Sequence, residues 1–329
     1  MRHSRILAAL GAAVAVLLAG CGGTAEAPAP AEPGTSGAFP ATVEHKYGTT
    51  TIPAPPQRVV TIGYQEHDFV YALGVQPVGV RWWYGPQDDV IHPWAEDAAA
   101  GSDPEILVMD TVDLERVAAL DPDLILGVYS GITEGEYQQL SRIAPTVTQS
   151  GDHVDYGSPW QETTRLIGQA LGRGAEAERL VTDLEARFAA IRSANPQLAG
   201  RSVVVAAFGP ENIGVFASED PRSRFFTELG LTVPAEIDAL AGEQFYATLS
   251  FEQTSMLDRD VLIWDQLSFT PGGRATVEQN QLVQQLAVSR EARSIFLEGD
   301  VEAAFGWNTV LSIPYALDAI EPELARVTG

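Results

Sequence analysis

The chain has 329 residues and a formal net charge of −24, from 44 acidic residues against 20 basic ones. That length suits about two domains, since single cores stop growing beyond roughly 250–300 residues, and a 45% hydrophobic content excludes wholesale disorder. The acidic excess excludes a nucleic-acid footprint, which needs clustered Lys and Arg, and Lys46 as the only lysine excludes a Gly-Lys-Ser/Thr phosphate loop.

Residues 1–20 read as an export signal. Arg2 and Arg5 precede an apolar run from Ile6 to Leu18, about a dozen residues where a bilayer span needs about 20. The run ends in Leu18-Ala19-Gly20-Cys21. Small residues before the chain's only cysteine resemble the bacterial lipobox, which implies cleavage before Cys21 and acylation of its thiol. Several acyl chains anchor stably, because each buried CH₂ contributes about 0.8 kcal/mol. Residues 21–42 are rich in Gly, Ala, Pro, Ser and Thr without a period, the composition of a flexible tether.

Beyond the tether, alternating patterns predict strands and helices in turn, hence mainly parallel sheets covered by helices. The pattern predicts a strand over 58–62, a helix from Phe69 that stops at Gly74, and a strand over 77–80. Asp113 to Leu126 then reads as a capped helix followed by a buried strand. This unit returns. Asp113-Leu-Glu-Arg-Val-Ala-Ala-Leu120-Asp-Pro-Asp123 lies without a gap on Ser250-Phe-Glu-Gln-Thr-Ser-Met-Leu257-Asp-Arg-Asp260, and Phe69 to Val75 lies on Phe225 to Leu231. Two collinear matches predict two similar α/β lobes, at 43–158 and 196–329, with the first carrying extra residues between its matched units. Between them, 159–195 holds the longest helical pattern, interrupted by Gly172 and Gly174, so one long helix and two shorter ones both remain open.

The residues Gly48 to Pro53, Pro56-Gln-Arg58-Val-Val, Ala72-Leu-Gly74, Pro77-Val-Gly-Val80, Leu114-Glu115, Ala119-Leu-Asp-Pro-Asp-Leu-Ile125 and Ile143-Ala-Pro145-Thr-Val147 resemble the iron-siderophore and cobalamin binding lipoproteins of ABC importers. The resemblance runs from about residue 45 to the C-terminus. It implies two Rossmann-like lobes joined by a single long helix, with ligand held in the cleft between them. Arg81-Trp-Trp-Tyr-Gly-Pro86 and Pro93-Trp94 look most like the siderophore branch. The implied partners are a ferric siderophore, a permease dimer with its ATPase, and the membrane through the lipid anchor. Haem or cobalamin as cargo, an extracellular enzyme acting on the siderophore, and signalling in place of import stay open, with a binding protein rather than an enzyme expected.

Glu115 and Glu252 occupy equivalent second helical positions. Complementing a helix dipole accounts for such placement; the resemblance implies that each also docks into arginines of one permease subunit. For the cleft, Arg81, Trp82, Trp83, Tyr84 and Trp94 form a dense cluster after a strand, where open α/β sheets bind ligands. Some of these aromatics can equally be core. Tyr129 and Trp264 are candidates as residues following strands, Phe208 and Trp307 as loop aromatics, and Arg222, Arg224 and Arg274 as cations from the second lobe. Aromatic walls with few Arg donors suit a hydroxamate or mixed-ligand ferric complex, in which the siderophore rather than the protein holds the iron. His45, His67, His92 and His153 show no paired-ligand spacing, and no Gly-x-Ser-x-Gly elbow is present.

Overall fold

Strand alternation and helix caps assemble into two five-stranded sheets. The computed structural model describes residues 39–83, 90–108 and 111–329; the predicted lipidation site Cys21 and the cleft candidate Tyr84 lie outside them. A leading antiparallel hairpin pairs β1 (Ala41–His45) with β2 (Gly48–Ile52). The first sheet comprises β3 (Val59–Thr61), β4 (Gly79–Arg81), β5 (Glu105–Leu107), β6 (Leu124–Gly127) and β7 (Thr146–Thr148). Its order is β5-β4-β3-β6-β7 with every pair parallel. The second comprises β8 (Val203–Phe208), β9 (Ile213–Phe216), β10 (Tyr246–Leu249), β11 (Val261–Asp265) and β12 (Ser294–Phe296). Its order is β10-β9-β8-β11-β12. There β8, β11 and β12 run parallel, and β9 is antiparallel to both its neighbours.

Both halves of the expected repeat take the same form. Asp123 accepts hydrogen bonds from the backbone of Gln57 (2.7 Å) and Arg58 (2.9 Å), tying the entry of β6 to that of β3. Asp260 does the same for β11 and β8 through the Ser202 N–H at 2.8 Å and its hydroxyl at 2.7 Å. Gly74 and Gly230 follow the helices Glu66–Ala72 and Pro221–Glu228 at φ of +74° and +95°, left-handed values that glycine adopts without a Cβ clash. In each case the next residue's N–H reaches back into the helix, Val75 to Val70 and Leu231 to Phe226.

Each sheet is buried on two faces, which divides the apolar residues into three clusters. Val203, Val205, Val261 and Ile263 point one way into a cluster that also holds Val59, Leu124 and Leu126 of the first sheet, so one core runs through both lobes. Val204, Ala206, Leu262 and Trp264 point the other way, into a core private to the second lobe. The connecting segment is two helices, Trp160–Ala170 and Gly174–Ala194, rather than one uninterrupted rod. Gly172 sits between them at φ +67°. Its missing Cβ leaves room for the Phe39 ring, whose nearest atom lies 2.5 Å from where a Cβ would stand. Arg173 N–H closes the first helix on Gly168, and the second then folds back along it.

Candidate functional site

Each sheet reverses its winding beside its central strand, between β3 and β6 in the first lobe and between β8 and β11 in the second. Ligands of open α/β sheets bind outside the carboxyl ends at such points. In the first lobe those ends deliver Tyr64 and Tyr129, joined by a 3.2 Å backbone hydrogen bond, together with Arg81, Trp82 and Trp83. Arg81 is buried, donates to the Ile62 carbonyl at 3.2 Å and lies 4.3 Å above the Tyr64 ring. Tyr64 faces Trp83 at 5.4 Å and Tyr156 at 6.3 Å, and Tyr156 meets the edge of Tyr129 at 5.1 Å. Beneath this wall Glu66 is fully buried and accepts from the Tyr129 N–H at 2.5 Å. Its carboxylate fills the place a Cβ on Gly63 would take, 1.9 Å from Oε1, so a side chain there would displace Glu66. Burial raises the Glu66 pKa, against the pull of that N–H.

The second lobe places a charged cluster opposite. Arg222, in the first turn of Pro221–Glu228, is buried between Asp265 (2.9 Å) and Asp220 (3.3 Å) and lies 4.6 Å from the Phe216 ring. Burial raises the pKa of both acids, that of Asp265 to about 6, with Arg222 opposing the rise. Arg222, Asp265 and Trp307 line a narrow crevice of 20 Å³ with Trp83 of the first lobe, whose ring lies 4.9 Å from Trp307. Gln266 and Phe269 lead from it into a 350 Å³ cavity walled by Phe208, Phe216, Phe245 and Tyr246. Phe269 is 63% exposed at its rim, and Phe245 touches Tyr156 across the cleft at 6.1 Å. Tyr156 and Gln266 take left-handed φ values, of 66° and 58°, which such side chains hold only where the surroundings enforce them.

The expected cleft residues divide accordingly. The structure brings Arg81, Trp83, Tyr129, Phe208, Arg222 and Trp307 together around the cleft. Trp82 follows β4 half-buried, bonded through its N–H to Leu107. Trp94 lies behind the wall: its indole donates to Asp68 at 2.8 Å and its ring packs on His92, Trp307 and Tyr315. Trp264 is core. The strand runs on to Asp265, so alternation turns Trp264 into the private cluster against Phe208 and leaves the next residue facing the crevice. Arg224 pairs with Glu219 at 2.6 Å and donates to the Gly157 carbonyl, bridging the lobes beside the cleft. Arg274 stacks on Phe296 and pairs with Glu278 (2.8 Å) and Glu298 (3.6 Å), lining a separate 720 Å³ surface cavity with Glu323 and Arg326. Tyr64, Tyr156, Phe245, Tyr246 and Phe269 escaped the sequence reading. Only Tyr64, just after a predicted strand, carried a readable signal.

Glu115 and Glu252 are exposed in the first turns of their helices, capped by Asp113 and Ser250. Of the histidines, His45 is held by Thr50 and Thr148, His67 is buried with its pKa lowered to about 3 by burial, His92 stacks on Trp94, and His153 pairs with Glu162. Among the described residues no cluster of three or more His, Cys, Asp or Glu could hold a metal ion, and no helix is long and apolar enough to cross a membrane.

The family model described as periplasmic binding protein matches residues 59–300. A periplasmic solute binding protein from Mycobacterium smegmatis superposes with a TM-score of 0.78 at 34% identity, over 88% of this chain and 99% of that one. PiaA of Streptococcus pneumoniae in complex with ferrichrome superposes with a TM-score of 0.74 at 25% identity, over 88% and 98%. The probable siderophore-binding lipoprotein YfiY of Bacillus subtilis is 27% identical over 229 residues, 68% of each chain.

Proposed function

Because the chain belongs to the periplasmic binding protein family, we propose that it captures a ferric siderophore outside the cytoplasmic membrane and delivers it to an ABC importer. The observation that carries this reading is the composition of the cleft. Aromatic rings dominate both walls, and its two buried cations, Arg81 and Arg222, are already engaged within the protein. Such walls suit a complex that presents apolar spacers and a metal already wrapped in oxygens, of hydroxamate or mixed type. A polyanionic complex needs cations that are not committed elsewhere. The ferrichrome held by PiaA supports the same choice.

In this reading residues 43–158 and 196–329 act as the two jaws and 159–195 as a connector that limits their opening. A core shared by both lobes supports a small closure. Glu115 and Glu252, one per lobe on exposed first turns, are the docking points for a two-subunit permease, and Cys21 carries the lipid anchor of an exported protein. The protein holds its cargo and does not transform it.

Tryptophan fluorescence tests the reading. Titration with ferric hydroxamates, ferric catecholates, haem and cobalamin is expected to quench emission at submicromolar concentration for the hydroxamate class, with the ligand recovered intact. Tight binding of a macrocycle alone contradicts it.

A further inference from the structure

Asp265 closes β11 at the reversal point of the second sheet and is 1% exposed. One carboxylate oxygen, Oδ2, accepts from Arg222 Nε at 2.9 Å. The other, Oδ1, is buried and has no partner of full hydrogen-bond geometry among the described residues; the Gln266 N–H pulls on the carboxylate from the next position. Orphaned buried acceptors are rare, because each forfeits its hydration without replacement. Arg222 meets Asp265 through Nε and turns its NH1 to Asp220, so two buried carboxylates share one guanidinium. Glu302, a third carboxylate on the crevice, is occupied by Ser268.

The crevice that Asp265 lines measures 20 Å³, enough for about one water-sized group. It opens past Gln266 and Phe269 into the aromatic cavity of 350 Å³. A slender polar terminus can therefore enter the crevice while the bulk of a ligand rests against the aromatic rings.

Resting on the siderophore reading, we infer that Asp265 is a specificity-determining residue that receives an ammonium or amide N–H donor projecting from the cargo. The protein accordingly selects ferric complexes of neutral or positive charge that carry such a group. An ammonium supplies the donor Oδ1 lacks and offsets the acidic surplus around Arg222; an anionic group at the same place faces three carboxylates with one cation among them.

Two ligands test this on the intact protein by calorimetry above neutral pH: a linear ferric trihydroxamate ending in a primary amine, and its N-methyl-N-acetyl derivative, a tertiary amide with no N–H. The wild type is expected to bind the amine form about ten- to a hundredfold more tightly, the range of a charge-assisted hydrogen bond. In Asp265→Asn the two affinities are expected to converge. Equal affinity of the wild type for both forms overturns the inference while leaving the siderophore reading intact, and because it needs no variant it does not depend on how Asp265→Asn folds. Undiminished preference in a folded Asp265→Asn also overturns it. Failure of the wild type to bind either form or any other ferric siderophore removes both proposals together.

Discussion

The hydroxyl of Thr309 donates to the carboxylate of Asp68 at 2.6 Å, joining two residues 241 positions apart. Asp68 stands in the first turn of a first-lobe helix, and Thr309 opens the turn into the C-terminal helix Ser312–Thr328. The same Asp68 oxygen accepts the Trp94 indole at 2.8 Å, and Thr309 in turn accepts from the Ser312 N–H at 3.1 Å. One buried carboxylate thus fixes the aromatic wall behind the cleft and the approach of the last helix.

Removing that carboxylate leaves two donors without an acceptor. Asp68→Ala is expected to cost about 2–4 kcal/mol in chemical denaturation, since bonds to a charged buried group are worth more than neutral ones. Asp68→Asn retains a carbonyl oxygen in place and is expected to cost less.

Asp68 also predicts a pH dependence. Burial raises its pKa to about 6, the bonds from Thr309 and Trp94 oppose the rise, and His67 beside it is neutral. A raised carboxyl binds its proton more tightly folded than unfolded. Its contribution is complete below the ordinary Asp range and is lost as pH climbs to about 6, by at most about 1.4 kcal/mol per pH unit. The stability advantage of the wild type over Asp68→Asn is therefore expected to shrink between about pH 4 and pH 6, as read from denaturation midpoints. An advantage that grows across this window contradicts the assignment.

Gly172 tests the break in the connector. Any Cβ there meets the Phe39 ring at 2.5 Å and adopts a left-handed φ, so Gly172→Ala is expected to destabilise by about 1–3 kcal/mol. The helix-favouring Ala thus lowers the melting temperature, the reverse of its effect inside a continuous helix.

Trp83 and Arg274 separate the cleft from the surface cavity. Trp83→Ala removes a half-buried ring facing Tyr64 and Trp307, and a loss of roughly tenfold in ligand affinity is expected. Arg274→Ala acts on a cavity remote from the cleft and is expected to leave affinity within about twofold. Both are read by the same fluorescence titration.

The proposed docking role can be tested apart from capture. The double variant Glu115→Ala with Glu252→Ala is expected to reduce cellular uptake roughly tenfold or more while the dissociation constant stays unchanged. A large loss of affinity in the purified protein removes the docking role.

Much of the fold was legible because its signals are local. The alternating pattern marks buried strands, Asp113 and Ser250 mark helix starts, and Gly74 and Gly230 mark helix ends. Asp123 and Asp260 betray the repeat because each must satisfy the same strand-entry backbone. The positions of Arg81 and Trp83 at the end of β4 were legible for the same reason, since open α/β sheets gather such residues at their strand ends.

Side-chain direction was not. Extending β11 by two residues exchanges Trp264 for Asp265 at the crevice, a reversal that no composition reveals because successive residues point to opposite faces. Nor could periodicity place Tyr156, Phe245 and Phe269, which loops carry to the cleft, or send Arg274 to a different cavity. What the chain alone determined was its two lobes and where their strands end. Which side chains meet across the gap was decided by long-range packing, where residues such as Asp68 and Thr309 become neighbours only when both lobes are in place.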